Sequence, residues 1–325
     1  MFAYIIRRLL FAIPILIGVN FITFALFFMV NTPDDMARAQ LGAKQTSPEM
    51  IQAWKEERGY DKPLFINDQA HGLSIVSETL FVQESLKLFS FDFGQSDAGR
   101  QISSDIQERM IPSLAIALPT FLIGLITTIA IALLIVLFRG TALDTVTMMI
   151  AVAIMSISGL FYIIAGQVLF SKMLHWVPIS GYSDGIDAWR FLILPVLIGV
   201  FAGLGSGVRW YRSIFLEEMN KDYVRTARAK GVSEIKVLFT HVLRNGFLPI
   251  LTGVVVVIPT LFMGSLIMES FFGIPGLGSY TIDAINAQDF SIVKAMVFLG
   301  SVLYIIGLIL TDISYTLFDP RVKLS

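Results

Sequence analysis

A chain of 325 residues with 55% hydrophobic and 15% charged side chains is too apolar for a soluble globule, whose charged share is about a quarter, and reads as a polytopic membrane protein. Its formal net charge of −1 offers no basic excess for nucleic acid. The absence of cysteine removes disulfide frameworks and thiolate metal sites.

A hydrocarbon core of about 30 Å needs about 20 apolar residues per helix. Six runs qualify: 9–30, 112–138, 146–170, 191–208, 247–268 and 293–310. They are continuous and do not alternate, so the expected fold is all-α with six transmembrane helices and not a barrel. Arg7 and Arg8 precede the first run, which at 22 residues exceeds a secretory h-region of about 7–15 and lacks a small-x-small cleavage site. It is expected to remain as an anchor. Asn20 within it could line a pathway or bond a neighbouring helix.

Residues 31–111 form a polar insert between the first and second runs. Ser47, Pro48 and Glu49 start a helix there, and Gly59 ends it. DKPLF (61–65) and FSFDFG (89–94) follow, and thirteen acidic against eight basic residues leave the insert mildly anionic. A structured cap and a direct contact with substrate or receptor are both open.

Gln167, in the third run, has the same two readings as Asn20. In the fourth, Gly199, Gly203 and Gly207 share one helix face and predict close helix packing. Gly203, Gly205 and Gly207 only mimic a nucleotide loop, because G-x-x-x-x-G-K-[ST] occurs nowhere in the chain. His71, His175 and His241 lack ligand spacing. Glu269 closes the fifth run and Asp312 lies near the end of the sixth; each is an interfacial carboxylate or part of a translocation route.

Between the fourth and fifth runs, residues 211–246 are strongly polar and carry DYVRTARAKGVSEIKVLFTHVLRN (222–245). Residues 217–230 are expected to be helical, with Glu217, Glu218 and Asp222 early and Arg225, Arg228 and Lys230 late, which complements the helix dipole. Gly231 supplies a left-handed stop. Ser233 then caps a second helix, with Val232 and Val237 as a hydrophobic staple. Thirteen Lys and Arg fall on the face that would hold both termini and this connector; the short loops of the other face hold only Lys172, Arg190 and Lys294. The asymmetry places both termini and the connector in the cytoplasm and the insert outside.

The connector resembles the loop that permease subunits of ATP-binding-cassette importers insert into a cleft of their ATPase partner. YVRTARAKG (223–231), with HVLRN (241–245) beyond it, is similar to the oligopeptide, dipeptide and nickel importer branch, B-type subunit. So are FAYIIRRLLFAIPILIGVNFITF (2–24), DKPLF, WVPISG (176–181), GIPGLGSYTIDAI (273–285) and FDPRV (318–322), which together span essentially the whole chain. Three departures stand out. The general loop opens Glu-Ala-Ala where this chain has Arg225, Thr226 and Ala227, and its Leu-Pro ending is Leu243 and Arg244. The usual Gly-Asp-Pro turn after the first helix is replaced by Asn31, Thr32, Pro33, Asp34 and Asp35.

The resemblance implies a type I importer permease fold. Residues 1–30 would be a cytoplasmic N-terminus and first helix, 31–111 an extracytoplasmic insert, 112–316 the permease core and 317–325 a cytoplasmic tail. It implies that Tyr223, Val224, Arg225, Thr226, Ala227, Arg228 and Gly231 form the ATPase-docking coupling helix, Thr226 and Ala227 allowing close approach and Arg225 and Arg228 pairing with acidic groups. The implied partners are a second homologous permease subunit, two ATPase subunits or domains, an extracytoplasmic solute-binding protein and the lipid bilayer. The chain would be non-catalytic, hold no cofactor, and lie in the bacterial cytoplasmic membrane. Cargo would be a di- or oligopeptide, a nickel chelate or a glutathione-like compound, moved by alternating access; Asn20, Gln167 and Glu269 are the pathway candidates. A self-contained secondary transporter or channel is the rival reading. It would be expected to show mid-membrane ionisable residues or paired broken helices.

Overall fold

The computed structural model describes residues 2–30, 32–42, 47–68, 71–72, 74–183 and 185–318, and is helical apart from one isolated bridge, Gln95 to Gln101, among the described residues. Asn31 and the FDPRV motif beyond Phe318, with Arg321 and Lys323, lie outside them. The chain divides into two compact units, 1–106 with 283–305, and 107–282 with 306–325.

In the first unit α1 (Phe2–Val30) exposes Leu9, Leu10, Phe11 and Ile22, as a lipid-facing helix must. Within that departure, residues 32–35 prove to be a helix start: Thr32 caps α2 (Pro33–Leu41) through a reciprocal capping box with Asp35. α3 (Pro48–Arg58) begins as expected, with Ser47 accepting the Met50 amide at 3.3 Å, and ends at Gly59 with φ +72°. α4 (Ser74–Ser77) and α5 (Leu80–Phe89) complete the insert. Phe24 and Phe28 of α1 bury against Met36, Ile51, Trp54 and Leu80. Phe24 also meets the Phe65 and Phe81 rings at 5.3 Å each, contacts worth about 0.5–1.5 kcal/mol apiece beyond their burial. DKPLF is the strap beneath this cluster: the Leu80 and Phe81 amides donate to the Pro63 and Leu64 carbonyls at 2.9 and 3.1 Å. The insert is therefore a folded cap packed on the end of α1.

In the second unit α6 (Ile102–Leu137) starts ten residues before the apolar run that announced it. α7 (Ala142–Ser156) and α8 (Gly159–Gly166, continuing as a π-helix over Gln167–Met173) correct the third expected span. The run 146–170 is not one rod: the two helices bend by 89°. Ile157 and Ser158 take extended conformations, at ψ 134° and 140°, between Ser156 and Gly159. Such residues cannot continue the i to i−4 ladder; the Ile154 carbonyl instead accepts the Ile157 amide at 3.4 Å and the Tyr162 hydroxyl at 2.8 Å. Among the described residues five helices are long and apolar enough to cross a membrane, and six crossings result if the bent pair counts as one more.

α9 (Ala188–Met219) packs on α6 through two of the three expected glycines. A Cβ on Gly199 or Gly207 would lie 2.7 or 2.6 Å from the methyl of Thr120 or Thr128, whereas Gly203 faces open space. Gly205, on another face, lies against the Ala151 carbonyl of α7. α10 (Asp222–Ala229) and α11 (Glu234–Val237) follow; α11 passes through a π turn at Leu238–Val242 into α12 (Leu243–Val257) and a 3₁₀ segment ending at Met263. The expected second connector helix is thus the leading end of an unbroken span, 234–263. The fifth run also stops early: Gly264 (φ +68°) breaks it, and α13 (Leu266–Phe272) starts afresh before α14 (Leu277–Ala287) and α15 (Phe290–Phe318).

Candidate functional site

α10 is too short to be stable alone and is held by what it buries. α9 ends at Met219, so Glu217 and Glu218 close that helix and do not open α10, contrary to the expected 217–230 helix. Lys221, extended at ψ 152°, makes the corner. Val224 (0% exposed) and Ala227 (6%) then turn inward to a cluster built by Ala132, Leu133 and Val136 of α6, Phe215 and Met219 of α9, Val237 of α11 and Ile250 of α12. Gly231, at φ +76°, is the expected left-handed stop. It lets the Val232 amide reach back to the Ala227 carbonyl at 3.2 Å. Val232 packs on the same cluster as Val237, but Ser233 makes no side-chain cap bond.

The outward face of α10 is polar. Asp222 and Arg225 face each other at 3.6 Å with side chains 96% and 74% exposed, and Thr226, Ala229 and Lys230 are exposed beside them. Arg228 is already engaged in a bidentate pair with Glu234 at 2.7 and 3.1 Å. Of the residues expected to meet a partner, Arg225 and Thr226 are presented, Ala227 is internal, and Arg228 braces the glycine elbow. The Tyr223 hydroxyl donates to Glu218; burial first, and that carboxylate second, push its pKa well above the ordinary tyrosine value. The hydrogen bond to Glu217 at 3.1 Å likewise raises Lys221.

One further anchor has no signature in the sequence. Arg212, near the end of α9, forms a bidentate pair with Asp144 of α7 at 2.8 and 2.7 Å, and Asp144 also accepts the Gly140 amide at 3.1 Å. Sixty-eight residues separate the pair.

The three pathway candidates are each bonded within the chain. The Asn20 amide donates to the Ser85 hydroxyl at 2.5 Å. Gln167 donates to the Ile179 and Phe271 carbonyls, both at 3.0 Å. Glu269 is buried and accepts the Ser265 and Ser279 amides at 3.0 Å each.

Several membrane-length helices, with one solvated polar helix braced against three of them, define the membrane subunit of a transport system. The chain belongs to the family of binding-protein-dependent transport system inner membrane components, whose profile matches residues 129–324; a profile for the N-terminal part of such membrane components matches residues 1–115. It is a multi-pass membrane protein and the permease subunit of an ATP-binding-cassette importer. A Brucella abortus (strain 2308) protein provisionally named a peptide transport system permease is 35% identical over 329 residues, covering 99% of each chain. The oligopeptide transport system permease protein AppB of Bacillus subtilis (strain 168) is 32% identical over 335 residues, 99% of this chain and 100% of its own. The glutathione transport system permease protein GsiC of Salmonella typhi is 30% identical over 324 residues, 99% of each.

Proposed function

We propose that this chain carries di- or oligopeptides inward across the bacterial cytoplasmic membrane. It would pair with a second homologous permease subunit, receive cargo from an extracytoplasmic binding protein, and be driven by two separate ATPases that grip α10; the chain itself is non-catalytic. Both termini and α10 are cytoplasmic in this reading and the 31–111 cap faces outward. Relatives named for oligopeptide, di/tripeptide and glutathione transport support the cargo class. The observation that carries the mechanism is the division of α10: Val224 and Ala227 lock it to α6, α9 and α12, while Asp222, Arg225 and Thr226 stay outside. A push on the outer face therefore moves membrane helices and not a loose loop.

The test is Arg225→Glu in the complete transporter. It should leave the chain in the membrane at wild-type level, and cut ATPase copurification and uptake of a labelled dipeptide by about tenfold or more, the loss typical of an interface charge turned repulsive. Normal assembly and uptake at matched expression would remove the assignment. Uptake of a glutathione or nickel-chelate probe, but not the dipeptide, by the wild type would replace the cargo.

A further inference from the structure

Glu269 has a precise task in the fold that contact with cargo would not require. Only 1% of the residue is exposed. One carboxylate oxygen accepts the Ser265 amide and the other the Ser279 amide, each at 3.0 Å. The Ser113 hydroxyl accepts the Leu277 amide at 2.7 Å. Leu277, Gly278 and Ser279 are the first residues of α14, whose leading amides have no partner in their own helix. A carboxylate from α13 and a hydroxyl from α6 thus cap α14 from outside, at the helix end that favours an anion.

The backbone closes tightly on this group. A Cβ on Gly276 would lie 2.2 Å from the Glu269 carboxylate, and one on Gly278 would lie 2.5 Å from the Ser265 backbone. Neighbouring ties hold the same block: the Gly181 amide donates to the Phe272 carbonyl at 2.7 Å, Gln167 holds the Phe271 carbonyl, and Arg109 of α6 lies 4.6 Å from the Tyr280 ring. α10 precedes the 234–263 span and α13 follows it. The block therefore lies at the far end of that span from α10.

We infer that Glu269 is a positioning residue for transport: it clamps α13, the 273–279 loop and the head of α14 into one rigid block against α6, and does not meet the cargo. A motion started at α10 reaches the far end of the span as one movement only if the block keeps its shape, and a buried carboxylate bridging two backbone amides keeps it. This rests on the transport reading above.

The experiment uses the complete transporter reconstituted with a labelled dipeptide, comparing wild type, Glu269→Gln and Gly276→Ala. Glu269→Gln keeps the volume but turns an amide N–H towards one of the backbone donors; Gly276→Ala drives a methyl into the carboxylate. Both should assemble normally and keep the half-saturating dipeptide concentration, while maximal uptake falls by about tenfold, as expected when a buried charge-assisted network is broken. Gly276→Ala should cost less on top of Glu269→Ala than in the wild type, because the carboxylate it would strike is then gone and only the rotatable Ser113 hydroxyl, 2.5 Å from the added Cβ, has to give way. Wild-type maximal uptake in both single variants overturns the inference. So does a raised half-saturating concentration at unchanged maximum, which marks a cargo contact, or a loss of uptake that merely follows the loss of assembled complex. Absence of dipeptide uptake by the wild type would instead strike the transport reading.

Discussion

Lys294 illustrates what single residues contribute to the cap. Only 7% of it is exposed, and its ammonium pairs with Glu84, which also holds Lys87 at 2.9 Å. Burial alone would push the Glu84 carboxyl up; Lys294 and then Lys87 outweigh it and hold it below its ordinary 4.5. A carboxylate with a lowered folded-state pKa stabilises the fold above its unfolded value and loses that contribution as pH falls through the folded value. Cap stability, followed by thermal unfolding, should therefore drop below about pH 4.5 in the wild type and drop less in the double variant Glu84→Gln/Lys294→Met. Glu84→Gln alone should cost about 3–5 kcal/mol because it strands a buried ammonium, and the double variant far less. Equal acid sensitivity in wild type and double variant would contradict the pairing. The pair was illegible in the sequence because 210 residues separate its members. Gly231 and Ser47 were legible because their signals are local: a residue that must take positive φ, and a hydroxyl three residues from the amide it caps.

At the scale of one element, α10 shows how far a motif carries. Its position and its glycine stop are written in YVRTARAKG, but its inward face is not, since Phe215, Met219 and Ile250 on other helices choose it. This separates two alanines two residues apart. Ala227→Asp should destabilise the chain itself, by several kcal/mol, because it forces a carboxylate into an apolar cluster. Ala229→Asp, on the exposed side, should change stability by less than about 0.5 kcal/mol while weakening ATPase copurification. Thermal unfolding and copurification measured on both variants separate the effects; equal unfolding temperatures would refute the inward assignment of Ala227. The bend between α7 and α8 escaped the sequence for a similar reason. Hydropathy counts apolar residues and is blind to Ile157 and Ser158 turning extended inside an apolar run. Tyr162→Phe should cost about 0.5–1.5 kcal/mol, the net value of one hydrogen bond, because the Ile154 carbonyl keeps only the longer bond from the Ile157 amide at 3.4 Å.

For the whole molecule, the number of crossings decides which faces the termini occupy. An even count puts both on one side and an odd count separates them, so the bent pair α7–α8 is the element that matters. If it crosses, Thr141 and Asp187 lie on opposite faces. If it only dips into one leaflet they share a face, and every later assignment is inverted. The distribution of Lys and Arg favours crossing: Arg139 and the eight basic residues from 209 to 244 then share a face, leaving Lys172 and Arg190 opposite. The chain contains no cysteine, so single cysteines report cleanly. Gln52, Thr141, Asp187 and Lys236 are all exposed. Thr141→Cys and Lys236→Cys should react with an impermeant thiol reagent only from the cytoplasmic side, and Gln52→Cys and Asp187→Cys only from outside. Labelling of the 141 and 187 positions from one side would make α7–α8 re-entrant. It would also move α10 to the face where no ATP is available, which is why this pair tests the transport reading as a whole and not the bend alone.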